Sequence, residues 1–204
     1  MSQFEAVLFD AGDTLIRLSG SGEQLLHRAA GLLCAPALDP GDVAKVWRRV
    51  LDRSSTAEEL AKGRDLSRER HRATWTALYR TAGCDRLVPG LSDQLYDLTV
   101  RADSWEAFPD TLPTLMALHD QGLRIGVASD TGFDLRPAMD RLGLSPLLPT
   151  VVMSYEFGVC KPAAAVFALP VATPAAYAFA VAAAVSAEAI AASEVLGRWV
   201  TWSE

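Results

Sequence analysis

The chemistry available to this chain rests on three residues placed just past apolar runs. Asp10 closes Ala6-Val7-Leu8-Phe9 and opens Asp10-Ala11-Gly12-Asp13-Thr14-Leu15. A carboxylate at the carboxyl end of a buried strand, followed by a glycine turn, is how a nucleophilic Asp is presented in open α/β sheets. The same residues also fit a plain Asx-Gly turn. Ser129 follows the apolar run 124–128 as Asp10 follows the first run, and its hydroxyl can hydrogen-bond an oxyanion held beside Asp10. Lys161 stands in Gly158-Val159-Cys160-Lys161-Pro162, where Pro162 restricts the backbone. A fixed ammonium there suits a phosphate or a carboxylate nucleophile. Taken singly, the Ser reads as a turn residue and the Lys as a solvated loop residue.

The elements that must position these residues are legible in the pattern. Residues 4–9 read as a buried strand, and Ser19-Gly20-Ser21-Gly22 as a flexible joint. From Glu23 to about Ala102 the pattern is helical almost throughout. Leu25, Leu26, Ala29, Ala30 and Leu33 share one face. Val43, Val46, Trp47, Val50 and Leu51 share a second, after an Asp-Pro-Gly-Asp start signal. A third helix ends at Gly83, and Leu91, Leu95 and Leu98 mark a fourth. Beyond Phe108-Pro109-Asp110, helices at 111–121 and 134–142 alternate with strands at 124–128 and 150–153. That alternation predicts a parallel sheet wrapped by helices, with the strand carrying Asp10 central.

Composition narrows the function classes. The 204 residues suffice for one domain with a modest insertion, and 50% are apolar. A net charge of -6 argues against a nucleic-acid surface. Cys34, Cys84 and Cys160 form neither a disulfide framework nor a zinc pattern, which points to a reducing cytoplasm. No secretory signal is visible at the N-terminus. Residues 163–187 lack charge, but Pro170 and Pro174 interrupt the run and alanine carries little transfer energy, so a buried strand and helix are expected rather than a membrane span. Oligomeric state stays open.

Together and in this order, three segments resemble the haloacid dehalogenase superfamily, most of whose members are phosphatases. They are Leu8-Phe9-Asp10-Ala11-Gly12-Asp13-Thr14-Leu15, Val127-Ala128-Ser129-Asp130 and Gly158-Val159-Cys160-Lys161-Pro162. The resemblance covers residues 4–18 and 105–162, and the helical insertion by position only. It implies a Rossmann-like α/β core of residues 1–18 and 105–204, with an all-helical cap of the C1 type at 19–104. It implies that Asp10 attacks phosphorus and forms an aspartyl-phosphate, that Ser129 and Lys161 bind phosphoryl oxygens, and that the amides of Ala11 and Gly12 complete the cradle. Asp13, Asp130 and Arg17 are expected around the substrate, a small phosphorylated molecule. Mg2+ is expected between Asp10, the carbonyl of Gly12 and an acid from a fourth motif.

Two departures stand against that pattern. The second residue after the nucleophile, where phosphatases of the superfamily carry an acid, is Gly12. Losing general acid–base help costs about 10²–10⁴-fold. Asp13 is the only acid nearby, and reads first as a turn residue. The fourth motif should fall near Ala183 and Ala184, where no carboxylate is present; Glu188 is the nearest acid. From Ala163 to Ala192 about half of the positions are alanine, while the apolar anchors Val166, Phe167, Phe179 and Ile190 remain. That selectivity fits side chains truncated to alanine better than natural decay, and an intact mass of 21.9 kDa would establish the alanines as real.

Lys62, Arg64, Arg68, Arg70, His71 and Arg72 cluster within the insertion. They read either as a guide for an anionic substrate or as a solvated face pairing with Glu58, Glu59, Asp65 and Glu69. The leading expectation is a magnesium-dependent phosphatase. The alternatives are a degenerate binding protein, favoured by Gly12, and a metal-independent 2-haloacid dehalogenase, which needs no acid at position 12.

Overall fold

The computed structural model describes residues 6–163. Strand β1 (Ala6–Phe9) leads through the Asp10 loop into β2 (Ile16–Leu18). Six helices follow: α1 (Gly22–Leu32), α2 (Pro40–Ser54), α3 (Ala57–Leu60), α4 (Arg68–Ala82), α5 (Cys84–Leu87) and α6 (Leu91–Thr99). The chain returns in β3 (Trp105–Ala107), then runs α7 (Thr111–Asp120), β4 (Arg124–Ser129), α8 (Arg136–Arg141), β5 (Thr150–Met153) and α9 (Ser154–Phe157).

Among the described residues β1, β4 and β5 form a parallel sheet in that order, so β4 is the central strand, buried from Ile125 to Ser129. The strand carrying Asp10 was expected at the centre. The strand and helix expected within 163–187 and the fourth-motif positions 183 and 184 lie outside the described residues. Register aligns Phe9 with Val127 and Ser129 with Met153, so Asp10 and Ser129 emerge at the same end of adjacent strands. Apolar side chains from β1, β4, α7 and α8 pack into one core, with Phe9, Leu115, Val127 and Met139 almost fully buried. Each such side chain contributes about 1.5–3 kcal/mol by leaving water.

Five of these helices, α1, α2, α4, α5 and α6, enclose a second core built on Leu25, Leu26, Val46, Leu78 and Leu95. Local signals explain their boundaries. Ser21 and Gln24 form a reciprocal capping box at the start of α1. Asp39 caps α2, with Pro40 in its first turn. Gly83, at φ 107°, ends α4 in the left-handed region that a side chain would resist.

Where the chain leaves and re-enters the sheet layer, β2 and β3 pair antiparallel, Leu18 facing Trp105. The amide of Ser19 bonds the carbonyl of Ser104 at 2.8 Å, and the Thr111 hydroxyl donates to the Leu15 carbonyl at 2.7 Å. The joint expected at 19–22 thus begins beside a two-stranded ribbon, with Gly20 at φ 83°.

Candidate active site

The loop after β1 folds around one carbonyl. Ala11 accepts from the amides of Leu15 at 2.9 Å and Ile16 at 3.0 Å, and the Asp13 amide donates to Ile16 at 2.8 Å. Asp13 lies at φ 58°, a left-handed conformation that Asp tolerates better than most residues, and its side chain is exposed. None of these bonds within the loop uses the amide of Ala11 or Gly12. Gly12 needs no positive φ, and no atom lies within 4 Å of where its Cβ would stand.

Lys161 reaches back across 151 residues to place its ammonium 2.7 Å from Oδ1 of Asp10. The side chains are 22% and 34% exposed, so the pair is shielded but open on one side. Asp130 fixes the approach: both of its carboxylate oxygens accept from the backbone N–H of Lys161, each at 3.1 Å. Ser129, buried at the end of β4, lies next to Asp130 in this arrangement. The structure therefore brings Asp10, Asp130 and Lys161 together in one bonded chain. Such an arrangement presents a carboxylate nucleophile with a cation beside it, able to draw an anionic substrate toward an anion.

Arg17 goes elsewhere. Its guanidinium donates to Glu106 at 2.9 Å across the ribbon and stacks over Phe108, on an exposed face. Much of the basic run from 62 to 72 is also engaged. Lys62 pairs with Glu59 at 2.5 Å, and Arg72 with Asp97 at 2.6 Å. Arg68 donates to the Tyr155 hydroxyl at 2.7 Å and lies over that ring. Arg64 donates to the Ser54 carbonyl and stacks on Trp75. Of the carboxylates expected, Glu59 pairs with Lys62 and Asp65 lies within 4 Å of Arg64 and His71, while Arg72 pairs outside that set.

A second polar cluster, on the helical side, escaped the sequence reading. Asp65 sits in a one-turn 3-10 helix, Arg64–Leu66, just before α4. The His71 Nδ1 lies 2.9 Å from the Tyr96 hydroxyl, and Nε2 lies 3.6 Å from Asp65. That second separation would permit an ion pair, yet burial disfavours the charged form of each group. Burial raises Asp65 to about 6, Arg64 opposing the rise and Asp130 adding to it. Burial, with Arg64, lowers His71 to about 4. We read the contact as a neutral ring facing a carboxyl. The cluster abuts the loop after β4: a Cβ on Gly132 would lie 2.1 Å from that of His71. Asp65 had passed as one of several salt-bridge partners, and no spacing rule joins position 65 to position 130.

Asp10 and the Gly12 carbonyl are hard oxygen donors of the kind magnesium takes. No group of three or more His, Cys, Asp or Glu residues able to hold a metal exists among the described residues. These donors therefore do not make a magnesium site on their own.

Comparison with known proteins gives the class. Residues 4–192 match the family of haloacid dehalogenase-like hydrolases, and the chain belongs to that family. It is a hydrolase with the mixed α/β fold of that family. Over 167 residues it is 29% identical to a glyceraldehyde 3-phosphate phosphatase of Methanopyrus kandleri, spanning 80% of this chain and 67% of that one. Among solved structures it resembles an L-2-haloacid dehalogenase from Xanthobacter autotrophicus, with TM-score 0.51 and 20% identity over 81% of this chain and 63% of that one. It also resembles a putative beta-phosphoglucomutase from Thermotoga maritima, with TM-score 0.52 and 15% identity over 81% and 68%. At these identities the structural likenesses speak for the fold alone.

Proposed function

We propose that this hydrolase is a phosphatase acting on a small phosphorylated metabolite through an aspartyl-phosphate on Asp10. The observation that carries the reading is the Lys161 ammonium held 2.7 Å from Asp10 by the Asp130 clamp on its backbone. An ammonium so placed offsets the repulsion between carboxylate and phosphate, then stays to neutralise charge on the equatorial oxygens. Ser129 and the amides of Ala11 and Gly12 supply hydrogen bonds to the same oxygens. The similarity to the Methanopyrus phosphatase supports this reading over carbon–halogen cleavage and puts glyceraldehyde 3-phosphate among the substrates to test.

In this proposal residues 19–104 are a cap, hinged at the β2–β3 ribbon, that closes over the site and excludes water. Asp130 and Asp13 line the substrate side of the loop, and Arg17 serves the hinge through Glu106 rather than the substrate. Magnesium belongs to the proposal as a shield for phosphoryl charge, with Asp10 and the Gly12 carbonyl as its described ligands; the steps above do not run through it. The cysteine pattern supports a reducing cytoplasm as the setting of this proposal, and among the described residues no helix is long and apolar enough to cross a membrane.

The test compares wild type with Asp10→Asn for phosphate release in the presence of Mg2+. The expected result is turnover by wild type and a loss on the order of 10⁴-fold or more in the variant. Equal activity of the two proteins would remove Asp10 as nucleophile. Halide release from a 2-haloacid without metal, and no phosphate release, would replace the reading with the dehalogenase.

A further inference from the structure

Gly12 brings no acid to the leaving group, and the space beside it is open. The cap nonetheless sets one further carboxyl against the catalytic loop. We infer that Asp65 protonates the leaving oxygen and then takes the proton of the attacking water. This deepens the phosphatase reading and rests on it.

Three contacts place Asp65. The Ser154 hydroxyl lies 2.7 Å from the Asp65 carbonyl and accepts from the Thr131 amide at 3.0 Å. One hydroxyl thus ties the 64–66 turn to the loop that begins with Ser129 and Asp130. Six residues on, His71 packs so closely on Gly132 that a methyl group would not fit between them. Finally, the Asp65 carboxyl lies 3.6 Å from the His71 Nε2, on the side of Asp130, whose charge helps raise it and whose oxygens hold the amide of Lys161, whose ammonium rests on Asp10. The turn is therefore docked on the same loop that carries the phosphoryl-binding residues, from the side a cap presents. The Asp65 side chain is 24% exposed, neither sealed nor fully solvated.

The charged and titratable groups around it agree with the role. Arg64, in its own turn, lies 3.8 Å away and holds the carboxyl below the value burial alone would give. His71, from α4, is neutral near pH 7 and presents a ring nitrogen rather than a charge. Asp130, after β4, favours the protonated form of Asp65, and Cys160, after α9, stays a thiol because burial and Asp130 raise it. Glu156 on α9 is taken up by Arg136. A carboxyl that titrates near neutral pH is suited to donate and then accept one proton.

The steps balance. An Asp10 carboxylate oxygen bonds to phosphorus as the ester P–O bond breaks, and its electron pair leaves with the ester oxygen. The Asp65 proton joins that oxygen, releasing an alcohol. Water then attacks phosphorus, Asp65 takes one of its protons, and the P–O bond to Asp10 breaks to give inorganic phosphate.

Asp65→Asn keeps the shape of the side chain and the carbonyl that Ser154 holds. Wild type and variant would be assayed in Mg2+ on 4-nitrophenyl phosphate, whose leaving group needs no proton, and on glycerol phosphate, whose alkoxide does. We expect the variant to lose about 10²–10³-fold in kcat/KM on glycerol phosphate and less than about threefold on the aryl ester. The limb of the wild-type pH profile that falls above about pH 6 should vanish in the variant. Equal losses on both esters, as from a misplaced cap, or no loss on either, would overturn the role of Asp65 and leave the phosphatase standing. A wild type inert on both esters, with no phosphorylated Asp10, would overturn the phosphatase reading and this inference with it.

Discussion

The two polar clusters that meet where the helices lie on the sheet layer solve the cost of burying charge in opposite ways. On the sheet side, Asp10 and Lys161 pair at 2.7 Å, partly open to water, with Asp130 holding the backbone of Lys161. On the helical side, Asp65 and His71 lie 3.6 Å apart, yet burial drives each toward its neutral form. Paired charges suit electrostatic capture of an anion, whereas a carboxyl raised by burial to about 6 suits proton transfer. The difference assigns charge handling to one side and proton handling to the other.

The sharpest way to break that division is to remove the cation. Lys161→Ala should lower kcat/KM for phosphate esters by about 10²–10³-fold. It should change stability by less than about 1 kcal/mol, because a partly exposed pair contributes little to folding. An unfolding free energy from urea titration lowered by several kcal/mol would mean that the pair is structural rather than functional.

The neutral side is tested by pH. Asp65 binds its proton more tightly folded than unfolded, so between about pH 4 and 6 its contribution to stability falls as pH rises. His71 binds its proton less tightly folded, so over about pH 4 to 6.5 its contribution rises. In the wild type the two oppose each other. Asp65→Asn leaves only the His71 part, and the stability of the variant relative to wild type should climb by up to about 3 kcal/mol from pH 4 to 6.5. A difference that does not vary with pH would mean that Asp65 is not buried as described.

A smaller effect is expected at the link between the sides. Ser154→Ala removes the acceptor for the Thr131 amide and the donor to the Asp65 carbonyl. The loss should be about 1–3 kcal/mol, read from thermal or urea unfolding, because a buried amide is left without its partner. Activity should fall more on alkyl than on aryl esters, since the 64–66 turn would loosen over the site.

Most of the fold was legible because burial writes itself into periodicity. The runs at 124–128 and 150–153, the faces holding Leu25 and Val46, and the stops at Gly83 and Gly122 all appear where the pattern puts them. The helix expected at 134–142 is shorter, Arg136–Arg141, because the Asp134 side chain accepts from the Arg136 amide and holds the chain ahead of the first turn. Of the expected site, Asp10, Ser129, Asp130 and Lys161 were legible because each follows a strand or a restricted loop. The parallel register sets Asp10 beside Ser129 and Asp130, and the bonds of Lys161 to Asp10 and Asp130 bring it to them. The pairing of Arg17 with Glu106 could not be read from its place in the chain, because only the β2–β3 register brings Glu106 opposite. Asp65 and His71 left no trace in spacing: their surroundings come from Gly132, Ser154 and Asp130, each 61 or more residues away. A carboxylate in a charged stretch reads as solvated until tertiary packing takes its water away.

The central claim is that Asp10 carries the phosphoryl group. A single turnover in heavy-oxygen water, with enzyme in excess over glyceraldehyde 3-phosphate and mass analysis of both the phosphate and the Asp10 peptide, tests it most directly. The label should appear in the released phosphate and leave Asp10 unlabelled, with a phosphoryl adduct on the Asp10 peptide in acid-quenched samples. Label in the Asp10 carboxylate would show attack on carbon rather than phosphorus, and phosphate release without any adduct on Asp10 would contradict the account outright.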